Sequence, residues 1–275
     1  MATTLVIIFC FIGASLGILG SLSFIITYSI LPEIRTRFRL YILTLSIYNF
    51  ISGITALFPG YKGHTICCIQ TFLVDFAFIC VCCWIFLISL VYYLQICRNF
   101  DIENSSKFYW ISIIIIQIIS LTISLIVILF GEPETGFSYW CSYSKNAFII
   151  TEYSIFWFCL IGALIFYSIV VHKIRKDQKI NYPKSFQIKM LTLAILYIIT
   201  ELWTTIERII QVIQKVDTPN EFLVTTQAFF SPLLGFWDFI FFGLGDKFVR
   251  ALLIRKFKKK KSQDIIELNQ ELIKN

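Results

Sequence analysis

Charged residues are scarce in this chain. Only 15% of its 275 residues are Asp, Glu, Lys or Arg, whereas a soluble domain usually contains about 25%. The uncharged residues form continuous apolar runs that are long enough to cross a bilayer as helices. The short alternating segments of a membrane β-barrel are missing. The composition therefore excludes a soluble domain of substantial size and predicts an all-α membrane protein, built as a bundle of spanning helices.

The sequence also lacks the signatures of the common enzyme classes. It contains no HExxH, no GxSxG and no phosphate-cradling glycine motif. Its two histidines, His64 and His172, form no cluster with metal-ligand spacing. We therefore expect no enzymatic activity, no metal site and no cofactor, and no nucleic acid among its partners.

Two classes of seven-span protein are disfavoured by further absences. A retinal-linked rhodopsin needs a lysine in its seventh span, and residues 222–245 contain none. A sugar transporter of the seven-span type contains a repeat of three spans, and this chain shows no internal repeat.

Seven apolar runs predict a seven-transmembrane helix bundle within residues 1–245. The third run holds a single charged residue, Asp75, before it closes at Arg98. At a rise of about 1.5 Å per residue it exceeds the hydrocarbon core, which is about 30 Å thick, and we interpret it as the central helix. Pro232 lies within the seventh run and predicts a kink there. The expected spans are residues 5–30, 41–58, 67–98, 108–130, 147–171, 190–213 and 222–245.

The first run has a competing interpretation as a cleavable signal peptide. No basic segment precedes it, and it is longer than the apolar region of a signal peptide. We therefore expect a retained span, preceded only by residues 1–4 and by no folded extracellular domain.

The distribution of Lys and Arg predicts the orientation in the membrane. The loops after the first, third and fifth runs and the tail together carry 20 of these residues, and the loops on the other side carry three. Because basic loops stay in the cytosol, we expect an extracellular N-terminus and a cytosolic C-terminus.

Residues 246–275 form a basic tail. Phe248, Leu252 and Phe257 can share one face of a helix that Lys and Arg surround, and Asp246 is well placed at its N-terminus. This pattern favours a short cytosolic amphipathic helix against anionic lipids. A basic stop-transfer segment without regular structure is the alternative.

Three of the nine cysteines fall on the expected outer side. Cys67 and Cys68 open the third span, and Cys141 lies in the loop before the fifth. A disulfide is permitted in that oxidising compartment and would tie the loop across the mouth of the bundle. The residues alone leave open whether Cys67 or Cys68 pairs with Cys141, and unrelated free thiols are the alternative.

Ionisable residues at membrane depth predict a polar pocket near the outer surface. Four of them are expected at one level beneath the loop of residues 131–146, whereas Glu201 and Asp238 are expected deeper. Such groups normally face the bundle interior or a water-filled cavity. An Asp75–Arg208 or a Glu–Arg ion pair that only fixes helix packing is the alternative. With an aromatic residue at the mouth, the expected ligand-binding set is Asp75, Trp140, Glu152, Glu207 and Arg208.

Several short motifs occur in an order and spacing that resemble a known family. They are Cys67-Cys68-Ile69-Gln70, Trp84, Tyr93, Trp140-Cys141, Glu207-Arg208-Ile209 and Gly235-Phe236-Trp237. Together they resemble the cyclic-AMP-receptor-like (class E) G-protein-coupled receptors and, more loosely, the secretin/adhesion receptors. The resemblance covers about residues 5–257.

The resemblance implies that Cys67, rather than Cys68, pairs with Cys141. It also implies a plasma-membrane receptor that binds a small extracellular ligand within the bundle and activates a heterotrimeric G protein. Glu207 stands where the family has asparagine. Its charge beside Arg208 weighs against a phosphate-bearing ligand such as cyclic AMP.

Basic residues at the expected cytosolic helix ends have two interpretations. The orientation rule alone accounts for Arg35 and Arg37. We expect Arg98, Arg175 and Lys189 to contact the G protein, because they lie on helices that are expected to move. A small-solute transporter or channel that uses the intramembrane carboxylates is the alternative function, and a non-signalling scaffold is a third.

Overall fold

The computed structural model of the chain is almost entirely helical. It describes residues 4–58, 64–131, 133–134, 141–143, 146–176, 192, 194–203, 205–206, 209–210 and 221–256. Within these residues, six helices are long and apolar enough to cross a membrane. The chain is therefore a multi-pass membrane protein, as its composition predicts.

The helix bounds lie within a few residues of the expected spans. The expected sixth span, residues 190–213, is described as a shorter apolar helix of ten residues, so the count of seven spans stays an expectation. A 3-10 turn, Pro32–Ile34, joins the first two helices, and strands Pro133–Glu134 (β1) and Ser142–Tyr143 (β2) pair antiparallel. The helices are α1 Thr4–Ile30, α2 Arg37–Leu57, α3 His64–Cys97, α4 Ser106–Gly131, α5 Asn146–Lys176, α6 Ala194–Trp203, α7 Glu221–Leu244 and α8 247–256.

Helix α3 is the centre of the described bundle, in agreement with its length and composition. It packs against α2, α4 and α5. The buried ring of Trp84 lies 5.8 Å from that of Tyr41 in α2 and 6.2 Å from that of Tyr109 in α4, between ring centroids. Aromatic pairs of this kind contribute about 0.5–1.5 kcal/mol beyond the area that they bury, so this cluster fixes three helices together.

Helices α1 and α7 approach each other at backbone distance. A Cβ atom at Gly17 would collide with the carbonyl oxygen of Pro232, and one at Gly235 would collide with the hydroxyl of Ser21. Small residues allow such close packing between spanning helices. The contact holds α7 firmly at its middle.

Helix α7 is irregular around that contact. Regular helix runs from Glu221 to Phe230, a 3-10 turn covers Ser231–Leu233, and α-helix resumes over Leu234–Asp238. A π-helical segment, Phe239–Leu244, follows. The 3-10 turn contains Pro232, which removes a backbone hydrogen bond, and the expected disturbance of this span therefore occurs at that residue.

Helix α8 begins at a carboxylate cap, as the sequence predicts. Oδ1 of Asp246 accepts hydrogen bonds from the backbone N–H groups of Phe248 at 2.9 Å and Val249 at 3.4 Å. Val249 is buried and packs in one apolar cluster with Leu31 and Ile34, in the turn after α1. The helix is therefore docked against the end of α1.

Two of the three apolar residues expected on one face of α8, Phe248 and Leu252, lie in the described helix. Leu252 packs against the Leu31 cluster, but Phe248 is exposed on another side, with the guanidinium carbon of Arg39 at 5.9 Å from its ring centroid. The buried side of the helix is set by Val249, which packs with Leu252 and Leu253 at spacings of three and four residues. Phe257 lies outside the described residues.

The two ends of the bundle differ in chemistry. We call the end with Cys67, Cys141 and the β1–β2 pair the disulfide end. The opposite end, with Arg98, Lys173 and α8, is the basic end.

Candidate functional site

The structure describes part of the expected ligand-binding set. Asp75 is buried in α3. Glu152 lies in the first turns of α5, where its backbone alone is described. Trp140, Glu207 and Arg208 lie outside the described residues. The convergence of these five side chains therefore stays a prediction.

A disulfide closes one end of the bundle. Cys67 at the start of α3 is bonded to Cys141, and their Cα atoms are 5.4 Å apart. This is the pairing that the family resemblance implies, and Cys68 takes no part in it. The bond fixes the chain between β1 and α5 to the central helix.

Gln70 reinforces this attachment, one helical turn along α3. Its Nε2 atom donates a hydrogen bond to the carbonyl oxygen of Phe58 at 2.5 Å, just after the end of α2. Its Oε1 atom accepts a hydrogen bond from the backbone N–H of Cys141 at 3.3 Å. One buried amide thus joins α2, α3 and the loop. In the sequence, Gln70 is identified only as part of the Cys67-Cys68-Ile69-Gln70 motif, and its neighbours in the chain do not predict these hydrogen bonds.

A buried hydrogen-bond network joins α2, α6 and α7. The Nδ2 atom of Asn49 donates to Oδ2 of Asp238 at 2.7 Å and to the hydroxyl oxygen of Tyr197 at 2.9 Å. The three residues are 3%, 0% and 1% exposed, in that order. Both amide hydrogens of Asn49 are therefore used to hold two helices against α2.

Asp238 is the chemically demanding member of this network. Its second oxygen, Oδ1, accepts no hydrogen bond from the described residues, and among them no basic side chain forms an ion pair with it. A carboxylate in apolar surroundings is costly unless it is paired. Ionisable residues inside membrane bundles commonly lie at functional positions, and Asp238 is such a candidate.

A second polar contact joins α6 to α7. The hydroxyl of Ser231 donates to Oε1 of the buried Glu201 at 3.0 Å. Glu201 lies four residues after Tyr197, so both side chains share one face of α6. The sequence predicts that Glu201 and Asp238 lie deep in the membrane. It gives no indication that Asn49, Tyr197 and Ser231 are their uncharged partners.

The two α7 residues that take part in these polar contacts lie at the irregular segments of the helix. Ser231 opens the 3-10 turn, and Asp238 directly precedes the π-helical segment. Departures of this kind inside a helix often mark hinges or functional sites. The polar contacts of α7 thus coincide with segments where its backbone departs from regular α-helix.

The basic end contains two of the three residues expected to contact a G protein. Nε of Arg98 donates to the hydroxyl oxygen of Tyr93 at 3.2 Å, and Arg98 is exposed. Arg175 is exposed in the last turn of α5. Lys189 lies outside the described residues. The first two are therefore accessible to a partner at this end.

A salt bridge fixes α8 to α2 at the same end. Nη2 of Arg39 lies 3.0 Å from Oδ2 of Asp246, and both side chains are partly buried. Nζ of Lys256 also donates to the carbonyl oxygen of Ile30, the last residue of α1, at 2.7 Å. The described basic end is thus built from charged contacts among α1, α2 and α8.

A comparison with protein-family models found no model that matches this chain, and a comparison with curated proteins found no matching sequence. Function is therefore inferred from the residues themselves.

Proposed function

We propose that this chain is a seven-helix receptor of the plasma membrane that resembles the cyclic-AMP-receptor-like G-protein-coupled receptors. It binds a small extracellular ligand at the disulfide end and activates a heterotrimeric G protein at the basic end. Its N-terminus is extracellular and its C-terminus is cytosolic, with the basic tail against anionic lipids.

The observation that carries this proposal is the polar α6–α7 interface. Tyr197 and Glu201 hold α6 to α2 and α7 through Asn49 and Ser231. Polar contacts can be exchanged for alternative ones with little loss of apolar burial, which suits an interface that must adopt two packings. The close backbone contact of α1 with α7 and the disulfide at α3 supply a fixed frame for that movement.

The proposed ligand acts by binding one packing more tightly than the other. The expected pocket draws on α3, α5 and residues 207–208, so a ligand there would bias the position of α6 relative to α3. A shift from 1:99 to 99:1 needs a differential affinity of about 5.5 kcal/mol. Movement of the helix ends would then bring Arg98, Arg175 and Lys189 into the arrangement that the G protein binds.

Guanine-nucleotide exchange on a purified G protein tests the proposal directly. The full chain is placed in nanodiscs, and Tyr197→Phe is compared with Tyr167→Phe, a buried tyrosine of α5 outside the network. Loss of the Tyr197 hydroxyl should raise ligand-independent exchange several-fold, because α6 loses its bond to Asn49. The control should match the unmodified chain. If the unmodified chain and Tyr197→Phe both fail to stimulate exchange on every G-protein class, the receptor function is excluded.

A small-solute transporter or channel is the second candidate. The observation that favours it is the interrupted helix α7 with the buried carboxylate of Asp238, since discontinuous helices often form the substrate site of transporters. Flux of labelled solutes into proteoliposomes separates the two functions. Flux that Asp238→Asn abolishes, without any nucleotide exchange, would favour transport.

A further inference from the structure

A groove of about 510 Å³ lies between α3 and α5 at the basic end. Tyr93 and Arg98 line it from the α3 side, and His172, Lys173 and Lys176 line it from α5. Ligand sites usually enclose about 300–1,000 Å³. The groove is therefore large enough for a small polar headgroup.

The charge of the groove is positive on both walls. Arg98, Lys173 and Lys176 are basic residues, and the described lining contains no carboxylate. The Tyr93 hydroxyl accepts from Nε of Arg98 at 3.2 Å and so orients the guanidinium. The terminal nitrogens of Arg98 form no hydrogen bond with the described residues. They present the paired donors that suit phosphate oxygens.

An apolar strip leads away from the groove along α5. Ile161, Ile165 and Ile169 are 51%, 54% and 42% exposed. They follow one another at four-residue spacing, and Lys173 is the next position in the same series. Ile169 itself lines the groove. One face of α5 therefore passes from hydrocarbon depth to a cationic site without interruption.

We propose that this groove binds the phosphorylated headgroup of a phosphoinositide-type lipid, with an acyl chain along the isoleucine strip. The groove lies where α3 and α5 reach their ends, the level at which lipid headgroups meet a spanning helix. Several cations around one cavity match a headgroup with more than one phosphate. The inference rests on the spanning helices and the groove, and not on the proposed receptor function.

The strip distinguishes a lipid from an acidic protein segment. A water-soluble acidic peptide would use the cations of the groove and gain nothing from Ile161 and Ile165. A lipid uses both features. The cations of the groove are Arg98, at the end of α3, and Lys173 and Lys176 of α5, whereas residues 257–275 of the basic tail lie outside the described residues.

The test measures binding of fluorescent dioctanoyl phosphatidylinositol bisphosphate to the full chain in phosphatidylcholine nanodiscs. The groove variant is Arg98→Gln/Lys173→Gln/Lys176→Gln. The matched control, Lys247→Gln/Arg250→Gln/Arg255→Gln, removes the same charge from α8 at the same end. We expect the groove variant to bind at least tenfold more weakly and the control to change by less than threefold. Lys173→Arg/Lys176→Arg keeps the charge and should retain binding, which separates charge loss from misfolding.

Further arms identify the ligand. Phosphatidylserine at equal total charge should bind at least tenfold more weakly, as should soluble inositol trisphosphate, which lacks the acyl chains. Ile165→Ala/Ile169→Ala should weaken binding of the lipid but leave binding of inositol trisphosphate unchanged.

Equal losses of lipid affinity in the groove variant and the α8 control would show that diffuse positive charge, and not the groove, binds the lipid. Tighter binding of hexaglutamate than of the lipid would assign the groove to a protein partner. Either result would overturn the proposal.

Discussion

The side-chain amide of Asn49 lies 2.7 Å from Oδ2 of Asp238, across the interface of α2 and α7. Neither residue is more than 3% exposed. The bond supplies a donor to Oδ2 of the Asp238 carboxyl group. The other oxygen, Oδ1, accepts no hydrogen bond from the described residues. Removal of one partner of a buried hydrogen bond leaves the other unsatisfied, so this pair is expected to be coupled in stability as well as in position.

A double-mutant cycle measures that coupling. Asn49→Ala should lower the free energy of unfolding by about 1–3 kcal/mol, because it leaves a buried acceptor unsatisfied. In the Asp238→Ala background the same change should cost much less, since the acceptor is already gone. Denaturant unfolding in detergent gives both values. Asn104→Ala serves as the control, because Asn104 is exposed and bonds within its own loop to Asp101. Identical costs of Asn49→Ala in both backgrounds would disprove the coupling.

The side chain of Gln70 is expected to stabilise the disulfide end. Gln70→Ala removes the acceptor for the buried Cys141 N–H and the donor for the partly buried Phe58 carbonyl, and two backbone groups lose their partner. We expect a lower thermal midpoint and reduced surface expression. Gln117→Ala, on the half-buried side of α4, should leave both unchanged. An unchanged midpoint for Gln70→Ala would show that the disulfide alone fixes this end.

The disulfide itself is checked by mass mapping of the unreduced protein. A peptide pair that contains Cys67 and Cys141 should appear, and it should disappear on reduction. Cys141→Ser should lower surface expression strongly, since loss of a native disulfide costs about 2–5 kcal/mol in small secreted domains. Cys68→Ser should have little effect. Recovery of Cys68 bridged to Cys141 would contradict the assignment.

The sequence predicts the six described spanning helices well because each is a long apolar run, and the bounds of α1 to α5 depend on little else. It also predicts Asp246 as a cap, since that rule is local. The rotation of α8 is not local, because packing of Val249 against Leu31 decides it. The same holds for Asn49, Tyr197 and Gln70. Their partners are distant in the chain, and a polar side chain gives no sign of which distant group it meets.

Steric packing between α1 and α7 gives a further prediction. A Cβ atom at Gly235 would meet the Ser21 hydroxyl and lie 2.6 Å from the carbonyl oxygen of Gly17. Gly235→Ala should therefore force the helices apart and cost about 1–3 kcal/mol, as overpacking does. Leu19→Ala, a larger change at an exposed position of α1, should cost less. A stability equal to that of the unmodified chain would mean that α7 packs differently in the bilayer.

The basic end supplies the last prediction, through charge reversal of Arg98 and Lys189. If these residues contact the G protein, Arg98→Glu/Lys189→Glu should abolish nucleotide exchange. The partner surface that complements Arg98 and Lys189 is acidic, and it would repel the introduced Glu side chains. Ligand affinity measured without G protein should persist, since the proposed pocket is expected at the disulfide end of the bundle.

Two controls separate this effect from the neighbouring lipid groove and from general electrostatics. The assay uses phosphatidylcholine nanodiscs without phosphoinositide, so any contribution from the groove's lipid is absent from both proteins. Arg35→Glu/Arg37→Glu reverses two charges at the same end, where we expect only a role in orientation, and should leave exchange within twofold. Normal exchange by Arg98→Glu/Lys189→Glu would show that these residues do no more than orient the chain in the bilayer. Loss of ligand affinity along with exchange would point to a folding defect instead of a lost contact.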